Sequence, residues 1–322
     1  MRELALALTL LAPVAFPATG APALGLPIDC PAEMGCFIQQ YVDHDPGPGA
    51  RDFTCEGLTY DTHKGTDFGL PSLAAMTEGV PVIASAPGVV RGVRDGMPDI
   101  VYTPERAAGM DGRDCGNGVA IRHEGGWETQ YCHLREGSVM VVPGQPVQRG
   151  QQLGLVGLSG RTEFPHVHIS LRDPEGATVD PFDPDGQITC GAPSTETLWI
   201  DPPPYVPGAV LAVGFATGVP DYDEVKAGTA ESRVTRTSPA LVLFGYAFGG
   251  RQGDVMALRI DGPDGTLIEH AALLERDQAQ FFRAAGKRSA PGGWAPGDYS
   301  GTVELRRDGE TISRRETGFS LP

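Results

Sequence analysis

His166 and His168 stand one residue apart in Glu163-Phe164-Pro165-His166-Val167-His168-Ile169-Ser170-Leu171. In a strand, residues i and i+2 share a face about 7 Å apart, so two imidazoles could reach one metal ion, or one could bind it while the other works on water. A second half-site, His63-Lys64-Gly65-Thr66-Asp67, lies about a hundred residues upstream. His63 and Asp67 add a nitrogen and an oxygen. Two histidines and an aspartate with an open fourth position are the ligand set of a catalytic zinc rather than a structural one. Such a site lowers the pKa of a bound water toward about 7 and polarises a scissile carbonyl. A third histidine stands in Tyr131-Cys132-His133-Leu134. Spacing alone leaves open which member of the H-x-H pair binds the metal.

These residues need elements to hold them. With 44 glycines and 29 prolines, the chain breaks its apolar residues into short runs, which predicts many short strands and few helices. Gly118 to His123, a Glu124-Gly125-Gly126 turn, and Trp127 to Leu134 read as a hairpin whose second strand carries Tyr131 and His133 on one face and Cys132 on the other. His63 and Asp67 would lie about 13 Å apart in a straight strand, too far to share an ion. The chain must therefore bend, and Gly65 and Gly69 permit it. Leu70 to Gly79 has room for one helical turn.

His63-x-x-x-Asp67, Tyr131-x-His133-Leu134 and His166-x-His168, in that order, resemble the lysostaphin-type M23 metallopeptidases. The resemblance continues through Gly79-Val80-Pro81-Val82-Ile83-Ala84, Gly88-Val89-Val90, Gly116-Asn117-Gly118-Val119-Ala120-Ile121 and Pro143-Gly144-Gln145-Pro146-Val147, and it covers roughly residues 60 to 185. It implies an antiparallel β catalytic core and one zinc per chain held by His63, Asp67 and His168. It also implies that His133 and His166 act as general base and general acid, in an order the residues do not fix. Asn117 and Tyr131 are secondary candidates, read as structural. His123 reads as a solvated strand-end residue, and His44, in Asp43-His44-Asp45, as part of a polar loop.

The chain opens with Met1-Arg2-Glu3, an apolar run from Leu4 to Phe16, and Ala21-Pro22-Ala23, the pattern of an export signal cleaved after residue 23. No later run is apolar for eighteen residues, so no membrane span is expected. The protein is expected to be exported, to the periplasm or outside the cell. Its six cysteines then read as disulfides. Sequence alone leaves fifteen pairings. Cys30 and Cys36 are close enough to close a small loop, Cys115 and Cys132 flank the predicted hairpin, and Cys55 is left with Cys190. The net charge is -16, with 25 acidic and 12 basic residues before position 201 and 16 and 13 after it. That field repels nucleic acid and anionic lipid.

The reading is therefore all-β in two parts. Residues 1–23 are the signal, 24–200 the metallopeptidase domain, 201–208 a proline-rich linker, and 209–322 an immunoglobulin-like β-sandwich of unknown role. The sandwich carries no chemical constellation and its own strand-and-turn pattern, which predicts separate folding. By resemblance, the activity is hydrolysis of peptide cross-links in bacterial peptidoglycan. The alternatives are cleavage of proteins by the same chemistry, and a catalytically silent wall-binding or activating protein, which the presence of all five site residues disfavours. A biotinyl or lipoyl carrier shares some of these glycine-rich strands, but no lysine lies between its two matching segments, residues 84–90 and 143–151. Nothing in the sequence fixes an oligomeric state.

Overall fold

The computed structural model describes residues 20–110, 112–186, 190 and 196–322, so the export segment read over residues 1–23 lies almost wholly outside them. Among the described residues the chain is all-β with two short α-helices, as its glycine- and proline-broken apolar runs predict. The first half contains β1 (Phe37–Gln40), β2 (Thr66–Gly69), β3 (Pro81–Ile83), β4 (Gly88–Arg94), β5 (Asn117–Arg122), β6 (Glu128–Leu134), β7 (Pro146–Val147), β8 (Gln152–Leu155), β9 (His166–Arg172) and β10 (Thr178–Val179). Eight of these form one antiparallel sheet in the order β1-β2-β9-β6-β5-β4-β7, with β10 on β9. The pair β3–β8 packs on this sheet through Val82 and Leu153, which share a buried cluster with Ile121, Tyr131 and Val167. Helix α1 (Leu73–Glu78) fills the expected helical turn. Ser72 caps it by accepting the Ala75 N–H, and Gly79 ends it.

The second half is a β-sandwich. One sheet is β11 (Ala209–Ala216), β12 (Ala240–Gly250) and β15 (Gln278–Arg288), and the other is β14 (Gly265–Leu273), β13 (Val255–Gly262), β16 (Gly297–Arg307) and β17 (Glu310–Leu321). Leu243, Met256, Leu258, Phe281 and Val303 meet between them. Tyr299 Oη donates to the Ala295 carbonyl at 2.8 Å, a contact of the kind made by an immunoglobulin tyrosine corner. Helix α2 (Tyr222–Ala227) begins with an Asp221/Glu224 capping box and stops at Gly228 in the left-handed region (φ 78°).

The prolines at 201–208 separate the two sets of sheets in sequence but not in packing. Phe244, Tyr246 and Phe248 of β12 belong to the same apolar cluster as Tyr41, Phe68 and Leu70 of the first half. The Phe37 and Phe248 rings lie 4.4 Å apart. Within the proline-rich stretch, Tyr205 stacks on Tyr41 at 5.3 Å and donates to Asp52 Oδ2 at 2.8 Å. β12 thus buries Leu241, Leu243 and Ala247 inside the sandwich and Phe244, Tyr246 and Phe248 in the cluster of the first half, a second apolar face that the strand-and-turn pattern of the sandwich does not express.

Three disulfides, Cys30–Cys36, Cys55–Cys190 and Cys115–Cys132, match the pairing argued from spacing, and no described cysteine is free. Among the described residues no helix is long and apolar enough to cross a membrane.

Candidate active site

Adjacent strands β2, β9 and β6 carry the site. Asp67 on β2 pairs with His168 on β9, and His168 pairs in turn with Cys132 on β6, the residue before His133. Between His63 and Asp67 the chain bends at Gly65, just before β2, whereas Gly69 lies at the end of that strand; Thr62, just before His63, has a left-handed backbone (φ 67°). Gly65 also serves another purpose. A Cβ there would lie 2.6 Å from His168 Nε2 and 2.5 Å from the Ile169 carbonyl, so glycine lets β9 and its imidazole come close.

His63 Nε2, Asp67 Oδ1 and His168 Nδ1 converge. The Asp67–His168 separation is 2.8 Å, His63–His168 is 3.1 Å and His63–Asp67 is 3.3 Å. Among the described residues, no other three His, Cys, Asp or Glu side chains bring ligand atoms within 4.8 Å of one another. His166 also faces the carboxylate, but at 3.5 Å from Asp67 Oδ1 and outside the converging three. The H-x-H pair, equivalent by spacing, is thus divided by the structure.

Backbone carbonyls set three of the four rings. His63 Nδ1–H donates to Tyr41 O (2.7 Å), His133 Nδ1–H to Ser159 O (2.8 Å) and His166 Nδ1–H to Phe164 O (3.0 Å). Each bond fixes the tautomer and leaves Nε2 with its lone pair. His133 and His166 lie with ring centroids 4.6 Å apart. Tyr60 packs on His63 and Phe164 stacks on His166, at 4.5 and 4.4 Å. Both aromatics adjoin the motifs in sequence, but a ring three or two residues before a histidine is not by itself a signal.

Charge follows from this packing. Burial pushes the Asp67 carboxyl up, but the His63 and His166 charges and the hydrogen bond from His168 hold it well below the usual carboxylate range. Burial works against protonation of His63, and the adjacent Asp67 carboxylate reverses it to a raised value. Burial drives His133 well below the ordinary imidazole value, with the His166 and His168 charges adding to it, and burial likewise lowers His166. The site presents one carboxylate and several imidazole lone pairs, a set of donors suited to a cation.

The hairpin exists, but its faces differ from the expected alternation. Tyr131 points into the core, fully buried, where its Oη accepts the Ser85 N–H at 2.7 Å. Gln130, Cys132 and His133 all line the cleft. His133 reaches the same side as Cys132 because its backbone is left-handed (φ 62°), an unusual conformation for a residue with a side chain. Asn117 braces the loop at Met97, donating to the Met97 and Leu134 carbonyls (2.7 and 3.2 Å). His123 is buried rather than solvated, bonded to Pro87 O and Thr129 Oγ1, both at 2.8 Å. His44 lies in a polar loop, as read, but has a partner there: its Nε2 lies 2.8 Å from Asp180 Oδ2, 136 residues away, which the sequence could not supply.

A sequence profile described as Peptidase family M23 matches residues 61–181, the stretch that holds all of these histidines except His44 and His270. Residues 61–181 are an M23 peptidase domain. Curated relatives align with about a third of the chain. The peptidoglycan DD-endopeptidase ShyA of Vibrio cholerae is 37% identical over 109 residues, which is 34% of this chain and 20% of ShyA. The cell division protein DipM of Caulobacter vibrioides is 35% identical over 95 residues, 30% of this chain and 13% of DipM. The DD-carboxypeptidase/endopeptidase Mpg of Neisseria meningitidis is 34% identical over 125 residues, 38% of this chain and 23% of Mpg. The chain thus spans less than a quarter of these relatives' length. Among solved structures, the catalytic domain of the prophage-encoded M23 protein EnpA of Enterococcus faecalis is 28% identical. The match covers 47% of this chain and 92% of that one, with a TM-score of 0.30.

Proposed function

We propose that the M23 domain is an exported zinc metalloendopeptidase that hydrolyses peptide cross-links of bacterial peptidoglycan. The observation that carries the reading is the convergence of His63 Nε2, Asp67 Oδ1 and His168 Nδ1 within 3.3 Å of one another. Donors about 2.0–2.1 Å from a tetrahedral zinc stand roughly 3.3–3.4 Å apart, so two nitrogens and one carboxylate oxygen at these separations suit such an ion. In this reading His63, Asp67 and His168 hold the zinc, which supplies an activated water and polarises the carbonyl under attack. His133 and His166 do the proton work. Each has its Nδ1–H tied to a carbonyl and its Nε2 lone pair free, so either can accept the proton released by the attacking water and, once protonated, donate it to the leaving amine. The rigid carbonyl contacts keep both rings in place while protonation changes.

Peptidoglycan as substrate is supported by relatives named for action on it, at 32–37% identity over the aligned stretch. Export is supported by the three disulfides and by Leu24, fully buried, whose N–H donates to Leu198 O at 2.7 Å. Among the described residues Leu24 is the first buried one, and it directly follows the expected cleavage point. We further propose the two-part division at residues 201–208, as two sets of sheets that share a core. The test of the function is digestion of purified peptidoglycan with mass spectrometry of the products. Cross-linked fragments should be cut at a peptide bond, the cut should stop with a chelator, and zinc should restore it. Intact cross-links after prolonged incubation with zinc would overturn the reading.

A further inference from the structure

The cleft that holds His133, His166 and His168 is not confined to the M23 domain. It has a volume of about 1470 Å³, and Tyr222, Lys226, Arg276, Gln278 and Gln280 of the sandwich also line it. Small-molecule pockets occupy about 300–1,000 Å³, so the space suits an extended peptide several residues long. We propose that the β-sandwich is the second wall of the substrate cleft, and that Arg276 on it binds a carboxylate of the peptide substrate. This rests on the peptidase reading and adds to it a role for the second half.

The wall is fixed rather than hinged. Gln39 of β1, 1% exposed, donates through Nε2 to the Ala279 carbonyl at 3.1 Å and accepts from Gln280 Nε2 at 2.9 Å. Tyr246 Oη in turn donates to Gln280 Oε1. At the other end Gly228, just past α2, packs on Ser72 at the cap of α1, where a Cβ would lie 2.9 Å from Ser72 Oγ. Tyr222 of α2 is stacked on Phe282 at 5.4 Å. Two anchored ends join the sandwich surface to the M23 domain, and the stacked ring holds α2 on the sandwich.

Its charge selects a class of group. The sandwich brings Asp223, Lys226 and Arg276 to the cleft. Lys226 Nζ lies 3.0 Å from Asp223 Oδ1, so these two cancel. Arg276 is exposed, and among the described residues no ion pair or hydrogen bond engages its guanidinium. In a chain of net charge -16, an uncommitted guanidinium over the cleft is a carboxylate site, with a planar fork matched to two oxygens. Stem peptides of a cross-linked wall carry free carboxylates, which a neutral glycine-only peptide lacks within its length.

The test is steady-state cleavage by the full chain of a soluble cross-linked muropeptide dimer, and of the same dimer with its free carboxylates amidated. Wild type is compared with Arg276→Ala and Arg276→Lys. Loss of one hydrogen bond to a charged group corresponds to about tenfold or more in binding. Amidation and Arg276→Ala should each raise KM by about that factor with kcat nearly unchanged. The two together should do no more than either alone, and Arg276→Lys should recover part of the loss. An unchanged KM in Arg276→Ala, or an amidation penalty as large in that variant as in wild type, would overturn the assignment. A wild-type chain that leaves both dimers intact would defeat the peptidase reading, and this inference with it, before any variant is compared.

Discussion

Asp67 faces His168 across the antiparallel pairing of β2 and β9, with Asp67 Oδ1 2.8 Å from His168 Nδ1. Cross-strand neighbours bring the two motif halves together, so the site depends on strand register. A slip of one residue would turn Asp67 to the opposite face. The neighbouring pair, Gly69 opposite His166, places the second imidazole of H-x-H beyond the carboxylate, beside His133.

In the proposed reading, that division separates proton transfer from metal binding. His133→Ala and His166→Ala should each retain bound metal yet lose on the order of a hundredfold or more in kcat, the usual worth of a general acid or base. Metal content and turnover measured on the same preparations check this. Loss of metal in His166→Ala with retention in His168→Ala would reverse the assignment within the pair.

The disulfides predict a definite thiol count. Denatured, unreduced protein should show no reactive thiol, and reduction should release six. Breaking Cys55–Cys190, which spans 135 residues, should lower the unfolding free energy by about 2–5 kcal/mol. A thiol assay and denaturant titrations of the Cys55→Ser, Cys190→Ser double variant provide the measurements.

The shared core predicts a cost for cutting the chain at the prolines. A chain ending near Pro202 should expose Phe37 and Tyr41, whose ring partners Phe248 and Tyr205 lie beyond the cut, and fold poorly or aggregate. The milder Phe248→Ala, which empties the ring contact with Phe37, should cost about 3–5 kcal/mol. A truncated chain with the full chain's thermal stability would contradict the continuous core.

His44 predicts a pH effect of known sign. Burial opposes its protonation, but the hydrogen bond and charge of Asp180 outweigh burial and raise its pKa in the folded state. A raised folded pKa contributes stability that is fully present below the unfolded value of about 6.5 and is lost as pH rises through the folded value. The difference in melting temperature between wild type and His44→Asn should therefore be largest below about pH 6 and shrink above neutrality. A difference that grows with pH would contradict the pairing.

Much of this was readable before the structure. H-x-H on a strand, the spacing of His63 and Asp67, the hairpin, and the Cys30–Cys36 and Cys115–Cys132 pairings arise from short-range pattern, which period-2 alternation and loop spacing express directly, and Cys55–Cys190 follows by elimination. Three matters were not legible, each for a physical reason. Tyr131 and His133 were expected on one face, and only the positive φ at His133 shows why they part. His44 depends on Asp180 and His123 on Pro87 O, partners that no local window contains. The sandwich's place in the cleft depends on how two sets of sheets pack, and the sequence of either half is silent on that.

The most direct test of the central claim is the zinc content of purified wild type and of the His63→Ala, Asp67→Ala, His166→Ala and His168→Ala variants, by elemental analysis. One zinc per chain is predicted in wild type and in His166→Ala, with loss of stoichiometric zinc in the other three. Fully active protein without metal, or His168→Ala with one zinc per chain, would contradict it.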